Sequence, residues 1–421
     1  MINHALSRYI RIIGPGLLYA GAAIGVSHLV QSTRAGAMFN FDLVWVLIVV
    51  NILKYPFFEF GPRYAIATGT SLVYGYNQVG KWAVVVFAIL TILSMFIIQA
   101  AVTVVTVGLL AYIFDLTINV TVLCIAILLI SAIFLLSGKY SALDKIIKFI
   151  IILLALSTIV AVFSAIGIER EVSPDFIRHF DWSNSADVFF LIAFIGWMPA
   201  PIDVSVWSSM WNLEKNKELG YVPKMKNALL EFKIGYIGTT FLALGFLVLG
   251  AIVMYGTGEE LSSNGVEFAG QLINMYSSSI GRWSFWIISI AAFMTMLSTT
   301  ITVLDAYSRV LNPITKILSP KLWNSCRNKE NLKWFWYILI IIGASFIITF
   351  TAKSMVYMVT LATTTSFLTA PILAWLNYKV VTGNQMPEES RPGSFLRVLS
   401  WIGITFFAIF SLVFIYWKFL I

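Results

Sequence analysis

Two short runs of small and polar residues interrupt stretches that are otherwise apolar. The first is Gly21-Ala22-Ala23-Ile24-Gly25-Val26-Ser27-His28, and the second is Gly196-Trp197-Met198-Pro199-Ala200-Pro201-Ile202-Asp203. Ser27 and His28 bring hydrogen-bonding side chains. Pro199 and Pro201 remove two backbone donors and push the residues before them away from helical angles. Such groups bind and release a small solute. A third cluster, Ser298-Thr299-Thr300, gathers three hydroxyl side chains in one apolar run. The sequence has no paired acids inside an apolar run, no His/Cys metal-ligand spacing and no phosphate-cradling glycine loop tied to a strand. An enzyme is therefore not expected, and no cofactor is implied beyond a coupling ion.

The elements that carry these residues are apolar spans. The 421 residues are 59% hydrophobic and only 11% charged, with mean hydropathy +0.87. Soluble domains carry about 25% charged residues, so lipid is the main solvent of this chain. Counting runs of roughly 20 apolar residues gives about eleven spans: 14–35, 42–68, 83–113, 117–137, 143–167, 187–211, 228–256, 280–311, 334–352, 355–380 and 396–418. They form one transmembrane domain over 1–421, an all-α membrane protein. The two interrupted runs fall in spans one and six, equivalent members of two five-span halves (14–167 and 187–380), with 396–418 as an additional helix. Paired interruptions at equivalent positions point to a transporter binding site built from inverted repeats; the plain alternative is two kinked packing helices.

Charge gives orientation. Lysines and arginines crowd into the loops on one side, and only Arg170, Arg178, Arg282, Lys353 and Lys418 fall on the other. By the positive-inside rule the N-terminus is cytoplasmic and the C-terminus outside, in a plasma (inner) membrane. The 168–186 segment and the acidic 256–272 loop are then external. The net charge of +8 comes from these loops and does not indicate nucleic acid. Met1 to Arg11 lacks a cleavable signal pattern. Cys124 and Cys326 suggest neither disulfide nor metal cluster. Within the spans, Glu59 with Arg63 and Asp305 with Arg309 read as i,i+4 pairs. Arg34 and Lys54 either snorkel or serve function. Trp197 either walls a cavity or fills the bundle core.

Further along this reading the chain resembles the NRAMP family of proton-coupled divalent-metal transporters, which have the LeuT-type fold. The resemblance starts at Gly14-Pro15-Gly16 and runs through Ala35-Gly36-Ala37-Met38-Phe39, Trp45, Ala67-Thr68-Gly69, Met198-Pro199 and Ser298-Thr299-Thr300-Ile301-Thr302 to Pro371. It implies a 5+5 inverted repeat with helices 1 and 6 interrupted. The departures lie at the family's metal site. Where the family has Asp-Pro-Gly-Asn, this chain has Gly25-Val26-Ser27-His28, so the ligating acid is Gly25 and the ligating amide is His28. The sulfur ligand is retained as Met198, while the histidine two residues later is Ala200. The acids of span three fall in Ile97 to Thr103, which holds Gln99 but no acid, and span nine from Tyr337 to Thr349 carries no arginine.

A divalent cation leaving water needs oxygen ligands that usually include a carboxylate. Without one, the amide ends of the half-helices favour an anion. The expected substrate site is Ala22, Gly25, Ser27, His28, Trp197, Met198 and Ala200, and the favoured solute is a small anion such as bicarbonate. His28 has a packing role as its alternative. The resemblance further implies a Na⁺ site formed by carbonyls near Ala22 and Gly25 with Ser298, Thr299 and Thr300. Asp203 and Gln99 are candidate gating residues. Two alternatives stand beside this reading: a Mn²⁺ or Mg²⁺ transporter using Met198 and Asp203, and a non-transporting membrane receptor.

Overall fold

The computed structural model describes residues 15–137, 140–167, 173–325, 329–351 and 354–420. Met1 to Arg11, Gly14, Lys139, Arg170, Cys326, Arg327 and Lys353 lie outside the described residues. The described residues are almost all helical and contain no strand. Among the described residues seven helices are long and apolar enough to cross a membrane, and Val120–Leu136, Phe149–Ala165 and Ser185–Trp197 are shorter apolar helices.

Span one is α1 (Pro15–Ala23), a break at Ile24 and Gly25, a π-helical stretch Ser27–Ser32, and α2 (Thr33–Phe39). Then follow α3 (Val44–Thr68), α4 (Leu72–Val79), α5 (Lys81–Ile113), α6 (Val120–Leu136) and α7 (Tyr140–Ala165). Span six is α8 (Ser185–Trp197) and α9 (Val204–Leu219). The rest are α10 (Met225–Val253), α11 (Gly265–Ile280), α12 (Phe285–Leu318), α13 (Lys329–Thr351), α14 (Met355–Thr382) and α15 (Ser394–Leu420), with a single turn Pro320–Ser325 after α12.

Span six breaks where two prolines demand it. Span one breaks less than the sequence suggests. The Gly25 carbonyl accepts from His28 N (3.1 Å) and Leu29 N (2.9 Å), so helical bonding resumes within one turn. The 256–272 segment is also more than a loop. It runs into α11, capped by the Asn264 side chain, with Phe268, Leu272, Met275 and Tyr276 buried along one face. A window averaged for apolarity misses such an amphipathic helix, and α4 was missed for the same reason.

The core is a bundle in which α12 lies along α5, α10 along α1, α2 and α3, and α14 along α8. Small residues let backbones meet, as in membrane bundles generally. A Cβ at Gly36 would stand 1.9 Å from the Leu247 carbonyl oxygen, and one at Gly250 would stand 2.4 Å from that of Thr33. A Cβ at Gly196 would stand 2.1 Å from the Thr363 oxygen, which fixes α8 against α14. The large exposed apolar side chains, among them Phe163, Phe350 and Leu412, form the lipid-facing surface. Both anticipated i,i+4 pairs are present: Arg63 with Glu59 at 2.5 Å and Arg309 with Asp305 at 2.5 Å.

Candidate substrate site at the two breaks

The breaks in spans one and six face each other across a small cavity. Its walls are Ala22, Ala23, Gly25, Val26 and Ser27 from span one and Trp197, Ala200, Pro201, Val204 and Trp207 from span six. Ile98 and Val102 of α5 and Thr299 and Val303 of α12 complete it. The volume is about 30 Å³, close to one water molecule's share of the liquid. None of these lining residues is acidic.

Of the anticipated substrate residues, Ala22, Gly25, Ser27, Trp197 and Ala200 line the cavity. Trp197 does both things the sequence left open: its face walls the cavity and its Nε1 donates to Ser366 Oγ at 2.8 Å. Two expectations need correction. The His28 ring points away, with Nε2 3.0 Å from the Thr239 carbonyl on α10 and Nδ1 2.7 Å from Ser27 Oγ. Both ring nitrogens are thus engaged, and His28 buttresses span one from behind. Met198 is fully buried yet is not among the lining residues. Its neighbours Trp197 and Ala200 occupy the wall.

The hydroxyl cluster of α12 divides. Thr299 Oγ1 donates to the Ile24 carbonyl at 3.1 Å and shares its hydrogen with the Thr295 carbonyl at 3.0 Å. Span eight therefore meets the span-one break at Ile24 and Gly25. No contact of the Ala22 carbonyl with this cluster is present among the described residues. Thr300 turns to α5, 2.7 Å from Thr106 Oγ1. Successive helical residues are about 100° apart, and here Thr299 faces span one while Thr300 faces α5. Ser298 Oγ is buried without a hydrogen-bond partner. Gln99 Nε2 donates to the Thr300 carbonyl and to Thr103 Oγ1 at 3.2 and 3.3 Å, tying α5 to α12.

Asp203 stands where span six resumes. It sits at the N-cap of α9 and its Oδ2 accepts from Tyr307 OH at 3.2 Å. A carboxylate there complements the positive end of α9 by its charge. An amide end borders the cavity from span one, at Gly25, Val26 and Ser27.

The sequence left Lys54 ambiguous. It is fully buried, and its Nζ donates to the carbonyls of Ile195 (2.7 Å), Gly196 (2.8 Å) and Ala200 (3.2 Å). Snorkelling is excluded. Arg34 is half-buried, stands 5.2 Å from the Phe190 ring centroid, and lines a separate vestibule with Arg178, Glu259 and Glu260. A larger vestibule of about 850 Å³ opens among the basic loops, lined by Tyr74, Met210, Lys217, Arg309 and Trp323. Trp207, in the cavity wall, packs edge to face on Tyr307 with centroids 5.1 Å apart, one turn before Met210 of the larger vestibule.

The family model described as natural resistance-associated macrophage protein-like matches residues 16–417. The chain belongs to the Nramp family. An uncharacterized protein of Pasteurella multocida (strain Pm70) is 36% identical over 411 residues, covering 96% of this chain and 91% of that one. Among solved structures, a mutant of the Eremococcus coleocola manganese transporter superposes with a TM-score of 0.69 at 13% identity, covering 97% of this chain and 87% of its own. Mhp1, a nucleobase-cation-symport-1 family transporter with bromovinylhydantoin bound in a closed conformation, superposes with a TM-score of 0.59 at 12% identity, covering 96% and 93%. At these identities the likeness is one of fold. This Nramp-family protein is thus a multi-pass membrane transporter of LeuT-type architecture and not an enzyme. Its Gly25 and Ala200 stand at the central cavity, at the positions where the resemblance expects metal ligands.

Proposed function

We propose that this Nramp-family transporter carries a small anion, with bicarbonate as the favoured substrate, and couples its movement to Na⁺ in place of H⁺. One observation carries the reading. The cavity between the breaks is bordered by the first turn of span one's second half, at Gly25, Val26 and Ser27, and by no acidic side chain. A helix N-terminus of this kind favours negative charge. A dication entering the same space would meet the Ser27 and Thr299 hydroxyls, indoles and alkyl groups, a poor exchange for its hydration shell. The cavity has to widen to admit bicarbonate, as alternating access requires. For Na⁺, the oxygens of Ile24, Thr295 and Thr299 converge where spans one and eight meet, and they supply the hard ligands the ion prefers. We place the protein in the plasma (inner) membrane with its N-terminus cytoplasmic, on the Lys/Arg bias of the loops.

A second reading, transport of Mn²⁺ or Mg²⁺ through Met198 and Asp203, draws on the fold shared with a manganese transporter. It is weakened because Asp203 is bonded to Tyr307 and neither residue lines the cavity. Uptake of labelled bicarbonate into proteoliposomes, with and without an inward Na⁺ gradient, separates the two. Na⁺-stimulated bicarbonate accumulation is expected. Mn²⁺ accumulation without bicarbonate flux overturns the anion assignment.

A further inference from the structure

Span six ends its first half with carbonyls that have lost their donors. In an unbroken helix the Ile195 carbonyl would accept from the amide of residue 199, but Pro199 has none. The Gly196 carbonyl would accept from residue 200, which lies beyond the end of α8 at Trp197. Carbonyls stripped in this way and buried from water need another partner. They also form the negative end of a helix dipole. Such a group of oxygens is a cage for a cation.

Lys54 fills it. The side chain comes from the middle of α3, and Glu59, the acid five residues on, is already taken by Arg63 and Tyr55 at 2.5 Å each. Nζ sits within hydrogen-bond distance of three carbonyls, those of Ile195, Gly196 and Ala200, and lies 5.9 Å from the centroid of the Phe407 ring on α15. An ammonium has three hydrogens, so three carbonyls use all of them, whereas a neutral amine has only two. The aromatic face closes the fourth side by a cation–π contact. Ala200 belongs to the cage through its carbonyl and to the substrate cavity through its position in the wall.

We infer that Lys54 is a tethered cation: its ammonium occupies a carbonyl cage at the span-six break and excludes free metal ions from it. The cage itself holds whatever the substrate is.

The test is thermal melting of purified protein in detergent, in chloride salts of sodium, methylammonium and tetramethylammonium at one ionic strength. The wild type should melt alike in all three. Lys54→Ala should melt lower by about 5 °C in tetramethylammonium, which is too large for the cage, and methylammonium or sodium should recover at least half of the loss. Identical melting of Lys54→Ala in the three salts overturns the inference. Should Lys54→Ala not fold, Lys54→Gln and Lys54→Arg decide. Gln keeps donors but no charge and should melt below Arg; a glutamine variant as stable as the wild type shows that charge is not needed and ends the proposal. Melting is blind to substrate, so loss of the bicarbonate reading in flux assays leaves this result standing, and the reverse holds equally.

Discussion

The hydroxyl of Thr299 lies 3.1 Å from the carbonyl oxygen of Ile24, and this contact fastens span eight to the break in span one. If Na⁺ is bound there, removing that oxygen without changing side-chain volume should weaken its hold. Thr299→Val is expected to raise the Na⁺ concentration for half-maximal uptake by roughly tenfold, the equivalent of about 1.4 kcal/mol. Thr300→Val should leave Na⁺ dependence alone and cost about 0.6 kcal/mol of stability through the lost bond to Thr106. Equal Na⁺ curves for Thr299→Val and wild type dispose of the site.

Gly25 gives Thr299 room for that contact. A Cβ at position 25 would stand 2.9 Å from Thr299 Oγ1 and 3.0 Å from its Cγ2, and a threonine held in a helix has little freedom to withdraw. Gly25→Ala should lower melting temperature and uptake together, by about 1–3 kcal/mol in stability. Adding Thr299→Ala should recover part of the loss. A double-mutant cycle in which the two effects simply add would falsify this crowding.

His28 works as a strut between Ser27 and the Thr239 carbonyl. His28→Ala removes this additional bond to a mid-helix carbonyl together with the ring that packs behind span one, at about 1–3 kcal/mol. The expected signature is a lower melting point and fewer active molecules, with an unchanged KM for the solute. A KM raised tenfold at normal stability would return His28 to the solute site.

Trp207 lines the cavity one helical turn before Met210, which lines the basic vestibule, so its indole is expected to be the barrier between them. With Cys124 and Cys326 replaced and Ala200→Cys introduced, a membrane-impermeant thiol reagent applied from the basic side should label slowly. Trp207→Ala should accelerate labelling at least tenfold, as the indole it removes separates Ala200 from the level of Met210. Unaltered labelling puts the barrier elsewhere.

The sequence revealed what depends on neighbours along the chain and concealed what depends on neighbours across the bundle. Pro199 and Pro201 announced the span-six break because proline acts on its own backbone. Glu59 with Arg63, and Asp305 with Arg309, were legible because i,i+4 spacing places them on one helix face. The direction of His28 was not, since its partner Thr239 lies 211 residues away. The split between Thr299 and Thr300 follows from helical rotation, yet choosing which one faces span one requires the packing of α12. Lys54 gave a faint signal, a lysine in mid-span with no free acid in helical register. Its acceptors are unwound carbonyls of another span, which no local pattern reveals.

Gly36 and Gly250 have a consequence for how the molecule can move. Each glycine lets the backbone of the other helix approach so closely that α2, the second half of span one, and α10 cannot slide past or tilt from one another without collision or a void. The two must travel as a single rigid body. Opening toward either side of the membrane then falls to the remaining helices, swinging around that fixed pair.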